Sequence, residues 1–211
     1  RGSVMRLRGT LARLLIAGSL VFAMAVICGL VLDRAYPPPL PDARVRSVEV
    51  NDRDGALLRV FAAADGRWRL KAELADVDAD FLDLLIAYED ERFRAHAGVD
   101  PIAMARAFGQ MIANGRVISG GSTITMQLAR LMEPRGARTI SAKLRQMFRA
   151  VQLERRFTKR DILHHYLRLA PYGGNLEGVR AASLAYFGKE PAHLTLSQVA
   201  LLVALPQSPE A

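Results

Sequence analysis

The stretch DADFLDLLIAYEDERFRAHAGVDP, Asp78 to Pro101, decides how the chain folds. Phe81, Leu84, Leu85 and Tyr88 recur at helical spacing and fall on one face, with an aspartate placed to cap the first turn. That face predicts an amphipathic helix packed against other helices, and the helix delivers Glu89 at its C-terminal end, beside a glycine-containing turn. Alone, Glu89, Asp90 and Glu91 read better as a solvated acidic helix terminus. Asp100-Pro101 opens the next helix, since proline at the first position gives up only an N–H that has no partner there. Asn114-Gly115 closes it.

Helical spacing continues downstream. SGGS, Ser119 to Ser122, is a tight loop, and a helix follows to about Glu133, just before Pro134. The spacing predicts a long helix from Ser141 to Arg156 with Leu144, Met147, Phe148 and Val151 inward and basic residues outward. Segments Thr158 to Leu169, Asn175 to Phe187 and Thr195 to Leu205 complete the set, capped by Thr158, Asn175 and Thr195 and ended by Pro171, Gly188 and Pro206. Upstream, Val45 to Phe61 alternates loosely around the Asp54-Gly55 turn, and Asp65-Gly66 precedes Trp68 and Leu70. A small β-hairpin or three-strand patch is predicted there.

Leu14 to Leu32, LLIAGSLVFAMAVICGLVL, carries no charge over nineteen residues. At roughly 1.5 Å per residue that is about 28 Å of helix, enough for a bilayer core. Arg1, Arg6, Arg8 and Arg13 precede it without an acid, which places the N-terminus in the cytoplasm and the remainder outside. Ala23-Met24-Ala25 could pass as a cleavage site, but it lies inside the apolar run, so a signal anchor is the better reading. Cys28, the sole cysteine, also lies there, and no disulfide can form within the chain. YPPPLP, Tyr36 to Pro41, is a stiff spacer. The expected organisation is a basic tail at 1–13, an anchor at 14–32, a proline-rich linker at 33–43 and one domain at 44–211.

Of the net charge of +8, half belongs to the tail. The rest is local: residues 130 to 160 hold ten Lys and Arg against Glu133 and Glu154, which implies an acidic partner or an anionic lipid surface. Nucleic acid is a poor partner for a basic helix outside the cytoplasm. Adjacent His164 and His165 point to different helix faces and argue against a metal site. Every serine fails the S-x-x-K test for a transpeptidase.

Five blocks occur in order: E-D-x-x-F-x-x-H-x-G at Glu89 to Gly98, GGSTITMQ at Gly120 to Gln127, K-x-R-Q at Lys143 to Gln146, KRDILHHYL at Lys159 to Leu167 and GVRAASLAYFGK at Gly178 to Lys189. Together they resemble the family 51 glycosyltransferases, the lipid II polymerising domain of class A penicillin-binding proteins. APYGGN and LPQSP are similar to the penicillin-binding protein 1C subgroup. The resemblance covers about Arg44 to Ala211 and implies a mainly α, lysozyme-like domain with a small N-terminal β-hairpin patch behind one transmembrane helix. It implies an inverting enzyme that joins an acceptor 4-hydroxyl to the donor's anomeric carbon and releases undecaprenyl diphosphate. Lipid II and the growing glycan strand are the expected partners, with membrane lipid and other cell-wall synthesis proteins beside them. The expected location is the bacterial inner membrane, single pass, with the domain on the periplasmic side.

By the same resemblance Glu89 is the general base. Asp90, Phe93 and His96 shape its site, although as scaffold they also read as a cap, a core aromatic and a satisfied histidine. Arg130, Arg138, Lys143 and Arg145 form the pyrophosphate clamp, with Arg106 near the donor sugar and phosphate. The two glycines of GGSTITMQ let backbone amides approach a ligand, and Ser122, Thr123 and Gln127 can bind sugar or phosphate oxygens. Helix capping explains Gly120 to Ser122 without any ligand. Gln146 stands where the family commonly has glutamate, and Arg168 where it has asparagine. No cofactor is implied with certainty, and a divalent cation such as Mg2+ is left open. The segment with Ile102, Met104, Phe108, Met111 and Ile112 dips into the membrane in this family. Two other readings stay open, a lysozyme-like lytic transglycosylase, which needs no pyrophosphate clamp, and a non-enzymatic wall-assembly protein. The chain begins without methionine and stops inside the family's usual linker, so a fragment is expected.

Overall fold

A computed structural model describes residues 2–39, 46–115, 121–133 and 139–207. It falls into two compact units, Arg1–Pro38 and Pro39–Ala211. The first is a single helix, α1 (Gly2–Ala35), whose segment Ile16–Ala35 is long and apolar enough to cross a membrane.

The second unit is mainly helical. After the hairpin β1 (Val48–Asn51) and β2 (Leu57–Phe61) and the short β3 (Trp68–Arg69) come α2 (Ala79–Glu89), α3 (Pro101–Asn114), α4 (Ile124–Met132), α5 (Ile140–Arg156) and α6 (Lys159–Leu169). Strand β4 (Leu176–Glu177), α7 (Val179–Phe187) and α8 (Leu196–Ala204) complete it. The predicted caps act as such: Asp78 accepts from Asp80 N–H, Asp100 from Ile102 and Ala103 N–H, and Thr158 and Thr195 each close a capping box; at the start of α4 the cap is Thr123, accepting from Met126 N–H, rather than the Gly120 to Ser122 loop.

Helix α4 lies at the centre. Ile124, Thr125, Met126, Leu128 and Ala129 are all buried, because α5 and α6 pack against it. Phe81 and Leu85 of α2, Leu153 of α5, Ile162 and Tyr166 of α6 and Leu202 of α8 join the same core. Each fully buried large apolar side chain stabilises the fold by about 1.5–3 kcal/mol.

The structure corrects several sequence expectations. The strand patch divides: β1 pairs antiparallel with β2, whereas β3 pairs parallel with β4, far along the chain. Asn175 therefore caps no helix. Its carbonyl accepts from Trp68 N–H, Leu176 joins the strand, and α7 starts at Val179 after Gly178. On α5 the covered residues are Ala150, Gln152 and Leu153, while Leu144 and Val151 are exposed and Met147 and Phe148 half-buried. The apolar stripe was real, but α4 and α6 meet the neighbouring face. Tyr88 follows the same rule: it lies on the Phe81 and Leu85 side of α2, yet it is 58% exposed.

Candidate active site

Glu89 is half-buried at the last position of α2. Gln127 of α4 reaches it, its Nε2 donating to Glu89 Oε2 at 2.7 Å, and the Tyr166 hydroxyl of α6 donates to Gln127 Oε1 at 3.3 Å. Side chains of three helices thus form one hydrogen-bonded chain ending on the carboxylate. The amide has two functions of opposite sense, so it links an acceptor on one side to a donor on the other.

The turn after Glu89 is fastened by Asp90. The Asp90 carboxylate, 3% exposed, accepts from His96 Nε2 at 2.9 Å and from Ile124 N–H at 2.9 Å, joining α2 to the start of α4. His96 Nδ1 accepts from Gly98 N–H at 3.2 Å, which sets the tautomer with its proton on Nε2. Thr123 Oγ1 donates to the Gly98 carbonyl at 2.6 Å while capping α4. Gly98 is required by space: at φ +94°, a Cβ would stand 2.7 Å from the Ala150 backbone of α5. Gly121 likewise fits against Met104, whose Cα would lie 3.1 Å from an added Cβ. The space at Gly121 thus serves packing against α3.

Asp90, Phe93 and His96 turn their side chains into this scaffold, Phe93 as a core aromatic edge-on to His96. The cationic side forms from Lys143 and Arg130. Lys143 Nζ donates to Ser122 Oγ, and burial, with Arg130 repelling it, holds the Lys143 ammonium below the ordinary lysine range. Arg130 is exposed at the last turn of α4. Among the described residues, Arg106 and Arg145 are exposed and Gln146 is half-buried. Arg138 and Gly120 lie outside the described residues.

Sequence reasoning missed two groups. Tyr166 and Tyr172 are fully buried phenols, both pushed up first by burial and then by the Glu89 charge. At helical spacing Tyr166 resembles any core aromatic, so only its hydroxyl contact shows its place. The second group is Glu154, whose Oε1 accepts from Thr125 Oγ1 and from Lys159 Nζ, both at 2.6 Å. Lys159 Nζ in turn lies 4.5 Å from the centre of the Phe93 ring. This node braces α4, α5 and α6. His164 and His165 stack on each other but serve different neighbours, His164 bonding the Ala72 carbonyl and His165 meeting Phe157 edge-on.

Fold and site together define a mainly helical, lysozyme-like domain built around one half-buried carboxylate, with a lysine and an arginine from two neighbouring helices. The chain belongs to the transglycosylase family, whose sequence profile matches residues 54–211. It is 49% identical over 177 residues to penicillin-binding protein 1C of Escherichia coli, covering 84% of this chain and 23% of that protein. It is 34% identical over 198 residues to penicillin-binding protein 1A of Pseudomonas aeruginosa, covering 88% and 24%. Against penicillin-binding protein 1A of Vibrio cholerae the identity is 36% over 177 residues, covering 81% and 21%. The chain thus spans about a quarter of the length of these relatives.

Proposed function

We propose that this chain carries a peptidoglycan glycosyltransferase that polymerises lipid II, with Glu89 as general base. The observation that carries the reading is the Gln127–Glu89 hydrogen bond, which fixes a half-buried carboxylate in a domain whose clamp lysine is also withdrawn from water. In the reaction, the acceptor 4-hydroxyl attacks the donor's anomeric carbon, Glu89 takes the hydroxyl proton, and the bond from that carbon to the pyrophosphate oxygen breaks with inversion. Negative charge grows on the departing pyrophosphate. Lys143 and Arg130, with Arg138, Arg145 and Arg106 joining once the donor is bound, stabilise that charge.

Ser122, held by Lys143, and Thr123, which caps α4, order the loop against which the donor lies. Among the described residues, no group of three His, Cys, Asp or Glu is suited to hold a metal ion. Exposed Ile102, Phe108 and Ile112 on α3 support contact with the bilayer, where the donor's polyprenyl tail resides. We place the domain on the periplasmic side of the inner membrane, anchored by α1, in keeping with the four arginines of the preceding tail.

The test is polymerisation of labelled lipid II by the chain in detergent. Glu89→Gln should lower turnover by about a thousandfold or more, the scale lost with an essential proton-transfer group. Turnover within tenfold of the parent overturns the assignment of the base.

A further inference from the structure

Tyr166 stands near the end of α6, the helix that packs along α4. Its ring lies in the core with Ile162 and Leu167 of the same helix and is 1% exposed. A tyrosine ring is rigid, so packing around it places the hydroxyl with little freedom. That hydroxyl donates to Gln127 Oε1 at 3.3 Å, and Gln127 Nε2 donates to Glu89 Oε2 at 2.7 Å. Burial first, and then the charge of Glu89, push the phenol well above its ordinary range, so Tyr166 keeps its proton and remains a donor.

The glutamine has use for such a partner. Its terminal torsion is broad, and the oxygen and nitrogen ends of the amide are alike in shape, so packing alone does not fix which end faces Glu89. While Glu89 is ionised it only accepts, and it selects the nitrogen end. Once a carboxylate has taken a proton it can donate as well, and that selection is lost. Tyr166 still holds Oε1 at that moment. The two hydrogen bonds also run in one direction, from phenol to amide to carboxylate, and bonds aligned in this way polarise and strengthen one another.

We propose that Tyr166 is a positioning residue for the base: its hydroxyl fixes the Gln127 amide, and through that amide the Glu89 carboxylate, in one orientation throughout the proton transfer. The role rests on the reading of Glu89 as the base. Because the Tyr166 hydroxyl is buried, it acts through Gln127 rather than on the substrate, and its loss disturbs the aim of the base while leaving substrate binding intact.

Two measurements on the full chain in detergent test this. The first needs no activity: with glutamine side chains labelled with nitrogen-15, and the Gln127 amide assigned by the peaks missing in Gln127→Met, Tyr166→Phe should move the Gln127 amide resonances. Unmoved resonances overturn the link. The second is kinetic: Tyr166→Phe should lower kcat about three- to tenfold with KM for lipid II within about twofold, the scale of one hydrogen bond felt at the transition state. In a Gln127→Met background the same substitution should change kcat by less than about 1.5-fold, since the link is already cut. An unchanged kcat in Tyr166→Phe, or an equal loss in both backgrounds, marks a hydroxyl that serves packing alone and overturns the proposal. Should Tyr166→Phe not fold, Gln127→Met carries the test, and turnover equal to the parent's overturns it. Failure of the base assignment is separate, since it is read from turnover in Glu89→Gln, whereas the nitrogen resonances report the Tyr166–Gln127 link whichever residue is the base.

Discussion

Gly98→Ala is the sharpest probe of how the turn beside Glu89 is held. The residue has φ +94°, where an L side chain is strained by about 1–3 kcal/mol. Its Cβ would also meet Ala150 C and O at 2.7 Å and Val151 N at 3.0 Å, all backbone atoms of α5 that no rotamer change can move aside. Overpacking of that kind costs about 1–3 kcal/mol, so the two effects together remove about 2–6 kcal/mol. For a domain of this size the melting midpoint should fall by about 5 °C or more. The turn carries His96, and its Gly98 carbonyl accepts from Thr123, so the displacement also reaches Asp90 and the start of α4. Melting of the detergent-solubilised chain, followed by intrinsic fluorescence and by circular dichroism, reads the effect. A variant that melts within about 2 °C of the parent refutes the close approach of this turn to α5.

Two further outcomes test other parts of the domain. Burial and Arg130 hold Lys143 below the ordinary lysine range, so the unfolded chain binds the extra proton between the folded and ordinary values, and the penalty of keeping this group charged is relieved as pH rises through that window. The clamp loses its charge over the same window, so KM for lipid II should rise on the alkaline side. Lys143→Arg should move that limb to higher pH, and an unmoved limb counts against Lys143 as an anion ligand. Arg69 bonds Glu177 and Asp65 across β3 and β4, and Glu177 is 6% exposed. Arg69→Ala leaves Glu177 to Arg67 and should cost about 3 kcal/mol in urea denaturation, whereas a loss under about 1 kcal/mol would mean that the ion pair does not hold the two strands together.

Local signals carried the reading where local physics decides. Thr158 and Thr195 cap helices because a side-chain oxygen two or three residues from an open N–H needs nothing distant. Glu89 at the end of α2 and Gln127 one turn into α4 follow from the same reasoning. Long-range pairing was hidden: nothing near Asn175 announces that Trp68 will take its carbonyl, so a helix was expected where a strand forms. Periodicity showed that α5 has an apolar stripe but could not say which neighbour would cover it, and the small Ala150, with Gln152 and Leu153, fills the contact. Arg106 and Arg145, expected beside Lys143 and Arg130 from their charge, have exposed side chains, because charge along a sequence does not fix where a side chain ends up.

The Asp90 junction bears on how the domain comes into being. Asp90 is linked to Ile124 across 34 positions, and Gly98 nestles against Ala150, further along still. A polypeptide emerging from the ribosome in order therefore contains Glu89 well before it contains the atoms that aim it. Closing such distant pairings is slow compared with forming either helix alone. With Glu89 as the proposed base, the nascent chain should stay inert until α5 has been made, and activity should appear as one of the last acts of folding.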